Sequence, residues 1–258
     1  MASVDRLDSG GHELRMSEPQ FYVMTDGRRI AYRYASGTGP ALVFLPGYMS
    51  DMAGSKAAAV FGWAQAQGRA CLLLDYSGCG ASDGDFADGT LSRWRDEVLA
   101  LIAAKCAGPV VLIGSSMGGW LMLLVALAIP AQVTALVGIA AAPDFTDWGY
   151  TPAQKAQLAA DETVFEANPY GPDPSPTYPG FWRDGEALRV LDGDIAVTCP
   201  VRLLHGQRDA DVPWHTALRM AQALRSADVQ VCLVKDGDHR LSRPSDITLL
   251  LRTIAALS

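Results

Sequence analysis

The segment Val110-Val111-Leu112-Ile113-Gly114-Ser115-Ser116-Met117-Gly118-Gly119-Trp120 decides the fold of this chain. Its apolar start predicts a buried strand, and the apolar residues that continue to Ile129 predict a helix packed beside that strand. Residues 110–129 contain no charged side chain and are numerous enough to span a bilayer. The glycines and serines in their middle favour a strand, a tight turn and a helix over a membrane span.

The rest of the chain repeats this alternation of apolar strands and helical patterns. Strands are predicted at 41–45, 70–74, 109–113, 133–140, 201–204 and 229–234, and helices at 53–67, 91–104, 119–129, 215–226 and 244–257. Before them, segments 21–24 and 29–34 flank Asp26-Gly27 and predict a hairpin. Continuous apolar runs are typical of parallel strands covered on both faces. The pattern therefore predicts an α/β protein, with a mostly parallel, doubly wound sheet and an N-terminal antiparallel hairpin.

The alternation stops between residues 144 and 198, where no strong strand is visible. Thr151-Pro152 predicts the start of a helix that runs to about Ala167. Prolines at 169, 172, 174, 176 and 179 then predict an extended loop over 168–179. An insert of this length most often covers a site. We therefore expect a cap or lid at 144–198 over a core formed by 20–143 plus 199–258, with a flexible tail at 1–19.

The composition excludes several classes of function. The 258 residues carry a net charge of −7 and no basic run, so a nucleic-acid partner is not expected. Five cysteines form no CxxC pair and four histidines are far apart in sequence, so no metal site is predicted. Gly78-Cys79-Gly80 resembles the start of a dinucleotide loop, but Asp83 replaces the third glycine, and no cofactor is predicted. Because the first residues resemble neither a secretory signal nor a transit peptide, a cytoplasmic location is expected.

The nucleophile motif GxSxG occurs twice, around Ser116 and around Ser82. This chemistry requires serine on a sharp turn between a strand and a helix, where the helix N-terminus stabilises developing negative charge. Ser116 meets that condition, whereas Ser115 lacks the flanking glycines and no helix follows Ser82 closely. The sequence predicts Ser116 as the nucleophile and a glycine-rich loop bordering the site around Ser82.

A serine hydroxyl needs a base, and a base needs an orienting carboxylate. His239 follows the last predicted strand on the expected catalytic edge, and we predict it as the base. The other three histidines are weaker candidates, because His12 lies in the polar tail, His205 ends a strand and His215 begins a helix. Asp209 is the predicted acid, and Asp211 and Asp144 remain alternatives.

The remaining predicted site residues surround the reacting group. Backbone N–H groups of Met117, directly after the nucleophile, and of Tyr48, after Gly47, are expected to form an oxyanion hole. Four tryptophans are candidates for an acyl pocket, although tryptophans more often pack in a core or a cap. They are Trp120, Trp148, Trp182 and Trp214.

Five segments stand in an order that resembles the α/β-hydrolase superfamily. They are residues 46–51 (PGYMSD), 75–84 (DYSGCGASDG), 114–120 (GSSMGGW), 203–215 (LLHGQRDADVPWH) and 238–240 (DHR). Within it, the chain is most similar to the mitochondrial acyl-protein thioesterases of the α/β-hydrolase-domain group, which also cleave acyl glucuronides. The resemblance implies an α/β-hydrolase fold and a serine hydrolase of small-molecule acyl esters or thioesters that uses Ser116, Asp209 and His239.

Two other functions stay open on the same residues. Peptide or C–C bond hydrolysis would use the same three side chains, and an aminopeptidase would need an acidic cluster in the cap, where Asp161, Glu162 and Glu166 lie. A non-catalytic ligand-binding protein on a hydrolase fold is the third hypothesis. An intact set of predicted catalytic residues favours the hydrolase.

Overall fold

A computed structural model describes residues 18–168 and 171–257 of the chain. The tail predicted at 1–19 falls outside this description as far as residue 17. Within the described residues the strands are β1 (Gln20–Val23), β2 (Arg29–Ala35), β3 (Thr38–Leu45), β4 (Arg69–Leu74), β5 (Val110–Ser115), β6 (Val133–Ile139), β7 (Val164–Glu166), β8 (Ser175–Thr177), β9 (Val201–Gly206) and β10 (Val229–Val234). The helices are α1 (Ser55–Ala66), α2 (Leu91–Lys105), α3 (Met117–Ala128), α4 (Phe145–Trp148), α5 (Pro152–Ala159), α6 (Pro179–Ala187), α7 (His215–Ala223) and α8 (Pro244–Ala255), with a 3-10 turn at Phe86–Asp88.

Eight strands form the main sheet in the order β1-β2-β4-β3-β5-β6-β9-β10. β1 pairs with β2 and β2 with β4 in antiparallel register, and the remaining pairs from β4 to β10 are parallel. This confirms the predicted parallel sheet with its N-terminal hairpin. The carboxyl ends of the parallel strands meet along one edge, where sites of open α/β sheets form.

Helices cover both faces of this sheet. Residues of α1 and α8 join one buried apolar cluster, which includes Val60, Phe61 and Ile254. Residues of α2, α3 and α7 join the second cluster on the opposite face, which includes Trp94 and Leu121. All six residues of β5 are buried between the two layers. The central strand therefore has no polar face, which is why its sequence reads as one apolar run.

The segment between β6 and β9 differs from its prediction in two ways. α5 ends at Ala159, not near Ala167, and Asp161 after it adopts a left-handed φ of 70° that a helix cannot continue through. The start at Thr151 is as predicted, since Thr151 and Gln154 form a capping box before Pro152. β7 lies where that helix was expected to continue, and it pairs antiparallel with β8, which lies in the predicted extended loop.

No helix within 18–168 and 171–257 is long and apolar enough to cross a membrane. The uncharged segment at 110–129 divides into β5 and α3, as the interrupting glycines predicted.

Candidate active site

Ser116 lies on a strained turn between β5 and α3. Its φ of 55° and ψ of −122° fall outside the regions that residues other than glycine adopt easily. The surrounding backbone holds it there: Ser116 N donates to the Ile139 oxygen at 2.9 Å, and Ala142 N donates to the Ser116 oxygen at 3.0 Å. The turn presents the hydroxyl at the carboxyl edge of the sheet, in front of the first turn of α3.

Glycine is required where α3 meets the loop after β3. A Cβ atom on Gly118 would lie 2.1 Å from the backbone oxygen of Leu45, and one on Gly47 would lie 3.3 Å from Ser116 Cβ. These contacts bring the loop that follows β3 directly against the turn at Ser116. The motif glycine after the serine is therefore explained by close approach of two backbone segments.

Ser116, His239 and Asp209 form a continuous hydrogen-bonded chain. His239 Nε2 lies 3.1 Å from Ser116 Oγ, and His239 Nδ1 lies 2.9 Å from Asp209 Oδ2. His239 follows β10 and Asp209 follows β9, so adjacent parallel strands deliver both side chains to the same edge. The three residues predicted from sequence are thus brought together with the geometry that transfers a proton from the serine.

The Asp209 carboxylate is buried and fully hydrogen-bonded. Its Oδ1 accepts from the backbone N–H groups of Asp211 at 2.9 Å and Val212 at 2.8 Å. Burial raises the pKa of Asp209, but the hydrogen bonds from His205 and His239 outweigh burial and hold that pKa well below its usual range. Asp209 therefore stays ionised at neutral pH.

His205 is the residue that sequence reasoning passed over. Its buried ring lies at the end of β9, with Nε2 3.1 Å from Asp209 Oδ2 and 3.1 Å from the Val212 oxygen. The sequence placed it in a structural role because it ends a strand. The sequence feature that could have indicated a contact between His205 and Asp209 is their separation by four positions.

The two alternative acids, Asp144 and Asp211, have different surroundings from Asp209. Asp144 is buried and accepts hydrogen bonds from the N–H groups of Val190 at 2.9 Å and Leu191 at 2.7 Å. The Asp211 side chain is exposed.

Asp209, Asp211 and His239 bring three potential metal ligand atoms within 4.8 Å of one another. The Asp209 oxygens are, however, already occupied by four donors.

The two predicted oxyanion donors flank the serine. Met117 is the first residue of α3, so its N–H has no acceptor within the helix. Tyr48 follows Gly47 in the loop that touches Ser116. The Tyr48 ring packs edge-on against Phe86 at 4.9 Å between centroids, and its hydroxyl donates to the Pro176 oxygen at 2.9 Å. The side chain thus anchors this loop to β8.

A cleft of about 350 Å³ opens over Ser116 and His239. Its walls include Met49 from the loop after β3, Lys56 from α1, Ser175 from β8 and Arg240 beside His239. The Lys56 ammonium donates to the backbone oxygen of Arg240 and lies 3.5 Å from Ser242 Oγ. The cleft therefore has a largely polar wall on the side of His239.

The four predicted pocket tryptophans do not line this cleft. The indole N–H groups of three of them donate to backbone oxygens: Trp120 to Leu188 at 3.2 Å, Trp148 to Pro143 at 2.8 Å and Trp182 to Thr146 at 3.1 Å. Trp214 stacks on the exposed His215 with 3.6 Å between ring centroids. These side chains pack the protein interior and its surface, because an indole seeks both apolar contact and one acceptor.

Ser82, in the second GxSxG match, has a different role from Ser116. Its hydroxyl donates to the Asp75 backbone oxygen at 2.6 Å and accepts from Ala31 N at 2.8 Å. The hydroxyl is bound on both sides and ties the glycine-rich loop after β4 to β2. Ser82 does not line the cleft.

Residues 42–248 match the model of the alpha/beta hydrolase family. The mitochondrial palmitoyl-protein thioesterase ABHD10 of Homo sapiens is 40% identical over 234 residues, which cover 87% of this chain and 75% of that protein. ABHD10 of Mus musculus is 41% identical over 231 residues, covering 87% of this chain and 77% of that protein. The solved structure of alpha/beta hydrolase domain-containing protein 10 from mouse superposes with a TM-score of 0.86 at 38% identity, over 93% of this chain and 98% of that chain.

The names of these relatives correct one expectation. Both curated relatives are named as mitochondrial proteins, which contradicts the cytoplasmic location predicted from the sequence. Fold and reaction agree with the sequence, because the family model and the thioesterase relatives each extend over most of the chain. The chain belongs to the alpha/beta hydrolase family and is a hydrolase of carboxylic esters or thioesters.

Proposed function

We propose that the chain hydrolyses fatty acyl thioesters, and the corresponding oxygen esters, through an acyl-enzyme intermediate on Ser116. The observation that carries this proposal is the unbroken chain from Ser116 Oγ to His239 Nε2 and from His239 Nδ1 to Asp209 Oδ2. The thioester preference rests on similarity to the palmitoyl-protein thioesterase ABHD10.

Acylation begins when the Ser116 oxygen attacks the acyl carbon and its proton passes to His239 Nε2. The ionised Asp209 holds His239 Nδ1–H and stabilises the imidazolium that forms. The N–H groups of Met117 and Tyr48 donate hydrogen bonds to the negatively charged oxygen of the tetrahedral intermediate. The N-terminus of α3 also stabilises this charge. His239 then gives its proton to the departing thiol or alcohol.

Deacylation repeats these steps with water as the nucleophile. His239 takes a proton from water, the hydroxide attacks the acyl carbon of the ester on Ser116, and the carboxylic acid leaves as the serine regains its proton. Atoms balance without a cofactor, since each cycle consumes one water and returns the enzyme unchanged.

The acidic cap residues do not support the aminopeptidase alternative. Asp161 pairs with Arg183 at 2.7 Å, and Glu166 accepts from Gln154 Nε2 at 3.1 Å. Neither acid lines the cleft over Ser116. A substrate ammonium in that cleft would instead meet Lys56, which is unfavourable.

The test compares wild type, Ser116→Ala and Ser36→Ala on two kinds of substrate. Hydrolysis of p-nitrophenyl esters from acetate to palmitate is followed by released p-nitrophenol, and hydrolysis of palmitoyl-coenzyme A by released thiol. Ser36 is an exposed serine between β2 and β3 and serves as the matched control. Ser116→Ala should lower kcat by several orders of magnitude, and Ser36→Ala should leave it unchanged.

Each outcome decides a different part of the proposal. Equal turnover by wild type and Ser116→Ala would remove Ser116 from the mechanism. An optimum at short oxygen esters, with palmitoyl-coenzyme A untouched, would keep the mechanism and overturn the fatty acyl thioester substrate.

A further inference from the structure

The Asp209 carboxylate accepts hydrogen bonds from four donors. Two are backbone N–H groups on Oδ1, and two are histidine rings on Oδ2, namely His239 Nδ1 at 2.9 Å and His205 Nε2 at 3.1 Å. A carboxylate has about four lone-pair sites, so this one is saturated. The mechanism described above uses only one of the two histidines.

His205 must donate from Nε2, because both atoms near that nitrogen, Asp209 Oδ2 and the Val212 oxygen, are acceptors. Its other nitrogen, Nδ1, is buried and has no hydrogen-bond partner within the described parts of the chain. A second proton on the ring would therefore have no acceptor. The neutral ring adds a hydrogen-bond donor to Asp209 without adding a net charge.

We propose that His205 is a positioning residue that acts through Asp209, holding its Oδ2 against His239 and setting the proton affinity of His239. This inference rests on the proposed function of Ser116, Asp209 and His239. Without the hydrogen bond from His205, Asp209 Oδ2 keeps more of its negative charge. It then attracts the His239 imidazolium more strongly. The freed carboxylate also rotates more easily, which misaligns the base.

The fold explains how His205 reaches the acid as a second histidine beside His239. His205 lies in β9, paired with Leu233 of β10, while Asp209 lies in the turn that β9 enters four residues later. That turn folds back so that Val212 N–H meets Oδ1 and the Val212 oxygen meets His205. His205 thus contacts both ends of the turn that carries the acid.

Glutamine and asparagine differ by one methylene group, so comparing them at position 205 separates the effect of the hydrogen bond to Asp209 from the effect of side-chain packing. In His205→Gln the amide reaches the position of Nε2 and still donates to Asp209. In His205→Asn the amide is too short, and in His205→Leu the donor is absent. His215→Gln alters an exposed histidine outside the cleft and is the matched control.

The measurements are kcat, KM and the pH–rate profile on p-nitrophenyl butyrate, with the NMR titration of His239 and a thermal unfolding scan. The Asn and Leu variants should lose tenfold to a hundredfold in kcat with little change in KM. The acidic limb of the profile and the midpoint of the His239 titration should both shift upward by roughly half to one pH unit. The Gln variant and His215→Gln should match wild type.

Other charges near His239 are common to all of these variants, so the shift reports His205. They are the side chains of Lys56, Asp209, Asp211, Asp238 and Arg240. If the Asn and Leu variants had the kcat of wild type and the same acidic limb of the pH–rate profile, the inference about His205 would be overturned. The proposed role of Ser116 would be unaffected. A Gln variant as slow as Leu would also overturn it, because the donor would then not matter. Equal turnover by Ser116→Ala and wild type would overturn both proposals.

Discussion

The phenolic hydroxyl of Tyr48 donates a 2.9 Å hydrogen bond to the backbone oxygen of Pro176. This single bond joins the loop that faces Ser116 to β8 of the short hairpin above the cleft. The ring is held at the same time between Phe86 and Phe181, each with its centroid 4.9 Å from that of Tyr48. The loop after β3 and the hairpin of β7 and β8 are therefore one packed unit.

Tyr48→Phe removes the bond and keeps the ring. We expect kcat/KM to fall about threefold to tenfold and the thermal midpoint to fall by roughly 2–4 °C, since one neutral hydrogen bond contributes about 1 kcal/mol. Tyr32→Phe is the control, because its hydroxyl donates a 2.7 Å hydrogen bond to Gln20 Oε1 between β2 and β1, and Tyr32 does not line the cleft. The loss of kcat/KM should appear only for Tyr48→Phe, and equal losses of kcat/KM in both variants would contradict this coupling.

The two GxSxG serines should give opposite phenotypes. Ser116→Ala removes a hydroxyl bonded to His239, so a fluorophosphonate probe should no longer label the protein while its thermal midpoint stays within about 2 °C of wild type. Ser82→Ala removes a hydroxyl held between Asp75 and Ala31, so labelling should persist while the midpoint falls by several degrees.

Labelling and thermal unfolding of the same three samples check this prediction. Labelling of Ser116→Ala at the wild-type rate would contradict the assignment of the nucleophile, and an unchanged midpoint for Ser82→Ala would contradict a structural role for that serine.

Gly118→Ala should destabilise the protein strongly. The added Cβ would lie 2.1 Å from the Leu45 oxygen and 2.4 Å from the Pro46 oxygen, and backbone atoms in a buried turn yield little. We expect a loss of roughly 1–3 kcal/mol or more in the free energy of unfolding, measured with urea. Gly180→Ala in α6 is the control, because its Cβ meets no atom within 4 Å. Equal stability of the two variants would refute the close approach.

Lys56 makes stability depend on pH above neutrality. Burial lowers the pKa of Lys56 to about 8, against 10.5 for an ordinary lysine. Between these values the unfolded chain binds one more proton than the folded chain, so stability rises with pH. The free energy of unfolding of wild type minus that of Lys56→Met should be flat below pH 8 and rise by about 2–3 kcal/mol up to pH 10.5.

Urea unfolding of wild type and Lys56→Met at pH 7, 8, 9, 10 and 10.5 tests whether the difference in the free energy of unfolding rises with pH. A difference that stays constant or falls over the range would show that the folded state does not disfavour the charged ammonium. The common pH dependence of the other groups cancels in the subtraction.

Local patterns predicted the sheet, and they selected three candidate site residues that the structure brings within hydrogen-bond distance of one another. The elbow at Ser116 follows from a run of buried apolar residues, glycines at the turn and an apolar helix, all within twenty positions. His239 and Asp209 could be assigned because parallel strands end at one edge, so residues just after β9 and β10 meet there. These inferences need only chain order and short-range periodicity.

Short elements and shared contacts were beyond such patterns. β7 and β8 have three residues each, and their pairing depends on the segments around them, not on their own strand propensity. The tryptophans could not be assigned to a pocket, because an apolar ring with one donor suits a core, a cap or a cleft equally. The cytoplasmic location expected from the first residues is wrong, because the relatives are named as mitochondrial proteins. The first residues contain no pattern that indicates a mitochondrial location.

The sequence by itself determined the main strands and helices of the sheet and the positions of the candidate residues Ser116, Asp209 and His239, because hydrophobic periodicity and glycine placement act over a few neighbouring residues. Only the tertiary structure decided which donors meet at Asp209 and which hydroxyl joins the loop after β3 to the hairpin. His205 and Tyr48 acquire these roles through contacts that depend on the exact fold of a turn or on packing across 128 positions of chain. Distances of that kind follow from packing in three dimensions, which local sequence does not encode.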